Sequence, residues 1–231
     1  AHYLDFKYGG HKPKPYTNLY KGPVYGNIEE LLNSYEISKS HATKQKYNII
    51  DSNNLNVAKL LQANKSVGIY QGRSEMGPRA LGNRSILFNP SNPQAKEKMN
   101  LIKNREWFRP YAGTVLYEHT KDWFNLEGKD ETPFMSYVVG VRKDKLKDIS
   151  GICHIDNTCR IQTLKEQQNK NFYDIITEFY RLTNVPIVLN TSLNTAGKPL
   201  VETIEDALNL MLTSNLDYMY FPECGKLLES I

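Results

Sequence analysis

Cysteine is scarce: Cys153, Cys159 and Cys224 are the only three in 231 residues. So few, and an odd number, exclude a disulfide framework and point to a reducing, cytoplasmic compartment. Long apolar runs are also missing. None approaches the roughly 20 residues that cross a bilayer, so no membrane partner is expected. Three common signatures are absent as well: the Gly-x-x-x-x-Gly-Lys-Ser/Thr phosphate loop, the dinucleotide fingerprint and the Gly-x-Ser-x-Gly elbow of hydrolases. His2, His11, His41 and His119 are scattered, and Cys153-His154-x-Asp156 with Cys159 fits no zinc spacing, so no protein-bound metal is expected. Neither an initiator Met nor a charged-then-apolar leader heads the chain, and the expectation is a piece of a longer polypeptide.

What is present is ordinary globular material, 40% hydrophobic and 23% charged, enough to bury a core without disulfides. The net charge of +4 is unevenly spread. Between Lys65 and Arg109 stand nine Lys/Arg against three acids, a balance of +6, leaving −2 for the rest of the chain. That concentration implies an anionic ligand in the segment or, on a plainer reading, a solvated basic face.

Residues 1–50 hold seven of the 15 tyrosines together with Gly9-Gly10, Pro13, Pro15 and Lys21-Gly22-Pro23. Only Ile28 to Leu32 looks helical there. This stretch reads as an N-terminal extension or interdomain linker lying on a surface, and 51–231 as the folded domain. From Leu55 the pattern is regular: a helix on Leu55, Ala58, Leu60 and Leu61, then strands at Val67–Tyr70 and Ser85–Phe88. A helix from Asn92-Pro93 to about Ile102 follows, with Asn as N-cap. Further strands are expected at Thr114–Leu116, Met135–Val141, Arg160–Leu164, Pro186–Leu189 and Tyr218–Phe221, with helices at Asn171–Leu182 and Ile204–Leu212. Helices and strands alternate without a strict βαβ period, which predicts an α/β fold with a mixed sheet and helices packed on it.

Four stretches could carry chemistry. The densest, Gly72 to Leu87, has three arginines (Arg73, Arg79, Arg84) and three glycines (Gly72, Gly77, Gly82) between two strands. Glycine exposes backbone N–H groups to a close ligand, and arginine offers two-pronged donation to phosphate or carboxylate oxygens, so the stretch reads as an anion site. Lys103-Asn104-Arg105-Glu106-Trp107-Phe108-Arg109-Pro110 adds three cations beside two aromatics. It is either a second wall of that site, with a base stacked on the rings, or a helix C-terminus with Trp107 and Phe108 in the core. Leu189 to Pro199 reads as an apolar strand running into a polar turn with Asn190, Thr191, Ser192 and Asn194, placed at a strand's carboxyl end or serving as a cap before the next helix. Asp156 to Thr163 is a fourth polar turn, entering a strand.

These motifs are identified together. Glu75-Met76-Gly77-Pro78-Arg79-Ala80-Leu81-Gly82-Asn83-Arg84-Ser85-Ile86-Leu87 resembles the signature of the carbamoyltransferase family, the O-carbamoylating enzymes of nodulation-factor and antibiotic biosynthesis. Lys103-x-Arg105-Glu106-x-Phe108-Arg109-Pro110, Asp156-x-Thr158-x-Arg160-x-Gln162-Thr163 and Asn190-Thr191-Ser192-x-Asn194 follow in the family's order. The resemblance covers about Asn18 to Pro222 and is to the family's C-terminal half. Asn157 stands where the family usually has Gly, which requires a left-handed Asn. Leu193 replaces a usual Phe, and Tyr111 with Gly113 replaces Phe and Pro.

The resemblance implies a YrdC-like twisted open sheet that forms carbamoyl adenylate from carbamoyl phosphate and ATP, with Mg²⁺ accompanying the ATP, for O-carbamoylation of a small molecule. It also implies, as partner, an N-terminal actin/hexokinase-like domain that carries a metal and performs transfer to the acceptor. Arg79, Lys103, Arg105 and Ser192 are expected to be catalytic. Gly77, Gly82, Arg84, Ser85, Arg109, Arg160, Asn190, Thr191 and Asn194 are expected to bind the ATP and carbamoyl phosphate. Two rival readings stand beside this one: an RNA-binding module, opposed by the modest overall charge, and a non-catalytic scaffold.

Overall fold

The structure is a computed structural model describing residues 7–10, 16–39 and 47–231. The readings for Tyr3, His2, His11, Pro13, Pro15 and His41 lie outside the described residues. Ten strands form one mixed sheet: β1 (Tyr47–Asp51), β2 (Val67–Tyr70), β3 (Arg84–Phe88), β4 (Ala112–Leu116), β5 (Phe124–Asn125), β6 (Tyr137–Val141), β7 (Thr158–Leu164), β8 (Ile187–Ser192), β9 (Tyr218–Phe221) and β10 (Lys226–Ser230). Their spatial order is β1-β10-β9-β2-β3-β8-β4-β7-β6-β5. Among the described residues only β2–β9 and β4–β7 pair in parallel. This is the expected α/β class with a mixed sheet. β2, β3 and β4 are buried at every residue, as strands covered on both faces must be.

Six α-helices accompany the sheet among the described residues: α1 (Ile28–Lys39), α2 (Asn54–Gln62), α3 (Ala95–Lys103), α4 (Thr120–Trp123), α5 (Lys170–Thr183) and α6 (Ile204–Thr213). α5 buries Phe172, Ile175, Ile176 and Phe179, the face its 3.6-residue period defines, and packs against α2, which itself buries Val57, Ala58 and Leu61. Asn53, Asn169 and Thr203 cap α2, α5 and α6 by accepting from a backbone N–H, and Thr203 with Asp206 closes a full capping box.

Three expectations shift. The helix expected from Asn92-Pro93 begins at Ala95, because Asn92 Oδ1 accepts the Gln94 N–H (2.8 Å) and heads a separate turn. Met135 adopts φ +53° and cannot join the strand, which starts at Tyr137. The polar turn after Leu189 is not a turn at Asn190, Thr191 or Ser192. They continue β8, because β3 pairs with all three (Leu87↔Asn190, Ile86↔Thr191, Ser85↔Ser192) and β4 pairs with Asn190 from the other side. β1 and β10 were not foreseen. β1 starts at Tyr47 and so crosses the boundary expected at residue 50. Asn157 sits at φ +61°, the left-handed conformation its place in the turn required.

Gly82 joins the arginine loop to the core. Its φ is +113°, and a Cβ there would lie 2.3 Å from Phe172 Cδ1. Gly82→Ala combines backbone strain with overpacking against α5, and is expected to cost about 2–4 kcal/mol. Denaturant unfolding checks this; a loss below about 1 kcal/mol would mean that the loop relaxes freely.

Candidate functional site

The site forms where four strands are in register. Ser85 faces Ser192, Asn190 lies opposite both Leu87 and Ala112, and Ala112 pairs with Arg160. The carboxyl end of β8 therefore meets the amino ends of β3, β4 and β7. Side chains alternate across a strand, so Asn190 and Ser192 share a face with Thr114 of β4 and with Arg160 and Gln162 of β7, whereas Thr191 points to the other face.

α3 delivers the central group. Its last residue is Lys103, and Asn104 at φ +48° ends the helix in a left-handed cap. Lys103 is 2% exposed, and its ammonium donates to the Ser192 carbonyl, to Ser192 Oγ (3.1 Å) and to Asn194 Oδ1 (2.5 Å). The Ser192 hydroxyl itself donates to Asn194 Oδ1 (2.7 Å). The Ala196 N–H donates to the Lys103 carbonyl (2.7 Å), which fastens the loop after β8 to the helix end. Burial, and secondly the charge of Arg105, bring the Lys103 ammonium down to about 7.

Arg105 acts on this group, and Arg79 and Arg160 act on Arg105 or on each other. Burial pushes Arg105 and Arg160 below the ordinary arginine range; Arg79 lowers both further, and Arg105 lowers Arg160. Among the described residues no ion pair joins Arg79, Lys103, Arg105 or Arg160 to a carboxylate. Arg105 lies over the Tyr111 ring (5.2 Å), and the Tyr111 hydroxyl donates to Asn100 Oδ1 (2.7 Å). The result is a chain of repelling cations, Lys103 with Arg105 and Arg105 with Arg79 and Arg160, that an anionic ligand would stabilise. Arg109 differs. It pairs with Glu106 at 2.9 Å on the surface, so its charge is already matched.

Other expected contacts are taken up by the scaffold. Arg84 is fully buried over the Tyr70 ring (3.7 Å), donating to the carbonyls of Gln71 (2.6 Å), Asn83 (3.1 Å) and Gly72 (3.2 Å). It braces the loop and does not reach the cationic cluster. Ser85 Oγ accepts the Gly82 N–H (3.0 Å), so these two satisfy each other. Asn190 Nδ2 donates to Thr114 Oγ1 (3.0 Å) and the Ala80 carbonyl (3.3 Å). Thr191 is nearly buried on the opposite face. Gly77 stands at the loop tip at φ +99°, with open space around it. Trp107 and Phe108 are 78% and 60% exposed, which overturns their placement in the core. Trp107 lines a cleft of about 620 Å³ together with Lys96, Asn100, Leu101 and Arg105, so the cleft borders the cationic cluster.

Glu75 is the residue whose role was missed. It is 6% exposed, and its carboxylate accepts the N–H groups of Leu81 (2.7 Å), Asn83 (2.8 Å) and Arg84 (3.1 Å). Burial pushes this carboxyl above the usual range, and those three donors pull it back. The available signal was a lone acid within an otherwise cationic, glycine-bearing loop. Gln162 was missed likewise: Nε2 donates to the Leu81 carbonyl (3.2 Å), while Oε1 accepts from Thr114 (2.9 Å). Around the fourth motif, Asp156 Oδ1 accepts from the Thr158 N–H (3.1 Å) and hydroxyl (2.6 Å), which shapes the turn ahead of Arg160.

Fold and site together define a mixed α/β domain in which the buried Lys103, the half-buried Arg105 and Arg160 and the exposed Arg79 have no carboxylate ion-pair partner among the described residues. The chain belongs to the carbamoyltransferase family: the profile described as Carbamoyltransferase C-terminus matches residues 58–225. It is 37% identical over 211 residues to nodulation protein NolO of Bradyrhizobium diazoefficiens, covering 89% of this chain and 38% of NolO. It is 43% identical over 153 residues to nodulation protein NolNO of Sinorhizobium fredii, covering 65% of this chain and 22% of NolNO. The chain thus spans under two-fifths of the length of either relative. Among solved structures, it is similar to full-length HypF in its phosphate- and nucleotide-bound form (TM-score 0.48, 16% identity, 76% of this chain and 24% of that one). It is also similar to a variant of Sua5 from P. abyssi (TM-score 0.46, 13% identity, 68% of this chain and 42% of that one). No helix of the described residues is long and apolar enough to cross a membrane.

Proposed function

We propose that this chain forms carbamoyl adenylate from carbamoyl phosphate and ATP, for O-carbamoylation of a small molecule completed by an actin/hexokinase-like domain outside it. The observation that carries this reading is Lys103 held on Ser192 and Asn194, with Arg105, Arg79 and Arg160 electrostatically coupled to it in turn and none of the four in an ion pair with a carboxylate among the described residues. Both substrates are polyanions, and the charge to be neutralised matches such a cluster.

In the reaction, water attacks the phosphorus of carbamoyl phosphate, the bond from that phosphorus to the carbamoyl oxygen breaks, and carbamate is left beside an inorganic phosphate that takes up the water's protons. A carbamate oxygen then attacks the α-phosphorus of ATP, the bond from that phosphorus to the β-bridging oxygen breaks, and pyrophosphate leaves. In this second step the nucleophile is already anionic, so positioning and charge neutralisation suffice and no general base is needed for it. Arg79, Arg105 and Arg160 take the phosphate oxygens, and Lys103 neutralises charge from below. Ser192 and Asn194 orient the α-phosphate and the carbamoyl amide. Mg²⁺ accompanying the ATP would be bound by the nucleotide's phosphates.

Calorimetry with ATP and with carbamoyl phosphate, followed by pyrophosphate release, tests the proposal. Saturable ATP binding is expected, and Arg79→Ala should slow pyrophosphate release about 30–100-fold, the loss of one charge-assisted contact of about 2–3 kcal/mol. Heat-silent titrations with both substrates, or salt-dependent RNA binding in their place, would overturn it.

A further inference from the structure

The family match starts at residue 58, yet part of the site's framework lies well ahead of it. The Met76 N–H donates to the Leu19 carbonyl (2.7 Å), and the N–H groups of Lys21 and Gly22 both donate to the Ser74 carbonyl (3.1 and 3.0 Å). Tyr20 and Glu75 form an antiparallel bridge between the two segments. The Tyr20 hydroxyl donates to the Leu81 carbonyl (2.9 Å) and accepts from Asn169 Nδ2 (3.3 Å). Leu19 and Tyr20 also pack on the buried side chains of Leu81, Ala112 and Met135. The approach is close enough that a Cβ on Gly22 would lie 1.8 Å from Ser74 Oγ and 2.9 Å from Ser74 N.

We infer that residues 18–22 are a strap that positions the cationic loop, with Tyr20 and Gly22 as positioning residues acting through Arg79. The strap grips the loop at two places, Ser74–Met76 before the tip and Leu81 after it. Gly77, Pro78 and Arg79 project between those places, exposed. From the sheet side, the Ala80 and Leu81 carbonyls are held by Asn190 and Gln162. Arg79 therefore leaves a backbone fixed from both sides. Remove the strap, and three backbone bonds to Ser74 and Met76 are lost together with one of the two side-chain donors on Leu81. Lost contacts of this kind free a local segment while the core stays folded. An exposed guanidinium on a wandering backbone pays more ordering entropy when it binds, which weakens affinity.

The test compares two glycines of the same extension. Gly22→Ala inserts a methyl group into the strap contact, whereas Gly26→Ala meets nothing within 4 Å. Neither glycine has a positive φ, so the pair differs only in packing. Limited trypsin digestion with mass spectrometry reads cleavage after Arg79, with the thermal midpoint followed in parallel. Gly22→Ala is expected to be cut after Arg79 at least about 10-fold faster than Gly26→Ala, because cutting reports the open population of the loop. Its midpoint should stay close to that of Gly26→Ala, which a general structural defect would not allow. Should Gly22→Ala fail to fold, Tyr20→Phe, which deletes only the hydroxyl, is read in the same way. Equal cleavage in strap variant and control would overturn the inference. Inorganic pyrophosphate affinity is measured alongside and should weaken about 5–10-fold in Gly22→Ala. This arm alone rests on the proposed function: pyrophosphate that ignores the wild-type chain removes that reading and leaves the cleavage comparison standing.

Discussion

Lys103→Met is expected to slow pyrophosphate release about 30–100-fold, and to flatten the rise of stability with pH between about 7 and 10. The two effects share one cause. Lys103 has three hydrogen-bond acceptors but no carboxylate, and burial with the nearby Arg105 charge brings its ammonium down to about 7. In the unfolded chain the same lysine keeps its proton to about 10.4. Between those values the unfolded state holds more protons than the folded one, so the folded state gains as pH rises, by at most about 1.4 kcal/mol per pH unit. That stability is fully present above the unfolded value and is lost as pH falls toward 7. Methionine fills the space without a proton, and its unfolding free energy should lack this slope. Binding runs the opposite way. Sulfate does not titrate in this range, so its affinity should fall toward tenfold per pH unit above about 7 in the wild type, and stay level in Lys103→Met. A wild-type affinity that is flat from pH 6 to 9 would show that Lys103 remains charged throughout.

Glu75→Ala should cost about 3 kcal/mol of stability and abolish measurable pyrophosphate binding. The carboxylate is the shared acceptor of three buried N–H groups, from Leu81, Asn83 and Arg84, and each buried donor left without a partner costs about 1–3 kcal/mol. Release of the carboxylate's own burial cost works against this loss, which keeps the expected total near the lower end. Glu75→Gln separates the two contributions. Its amide oxygen, at the Oε1 position, can still accept from Leu81, Asn83 and Arg84 (3.2 Å), and only the second Arg84 contact is lost to the NH₂ group, so a loss of at most about 1 kcal/mol is expected. Denaturant unfolding of both variants checks the ranking. If Glu75→Ala proved as stable as the wild type, water would be supplying the acceptors and the loop would owe little to this residue. The expected loss of binding has a geometric basis: Arg79 lies between the bridge at Glu75 and the N–H of Leu81, so a slack loop misplaces it.

Much of this protein was determined locally. The buried strand Val67–Tyr70 and the amphipathic helix with Phe172, Ile175, Ile176 and Phe179 follow from hydrophobic period, and the left-handed Asn157 from the resemblance that places it where the family has Gly. Hydrophobic period acts within a few residues and needs no partner. The loops that concentrate positive charge were legible for the same reason, since charge is counted along the chain.

Only the tertiary structure decided which of those charges meet. Arg84 and Arg79 are five residues apart in one loop, yet one is walled in by backbone carbonyls and the other is exposed beside Arg105 and Arg160. Asn190, Thr191 and Ser192 look like a polar loop because their side chains are polar. They are strand because β3 on one side and β4 on the other complete their backbone hydrogen bonds. The strap at residues 18–22 is invisible along the chain for a related reason. A hydrogen bond depends on where two groups stand in space, and pairing across 50 residues or more leaves no periodic trace in the sequence.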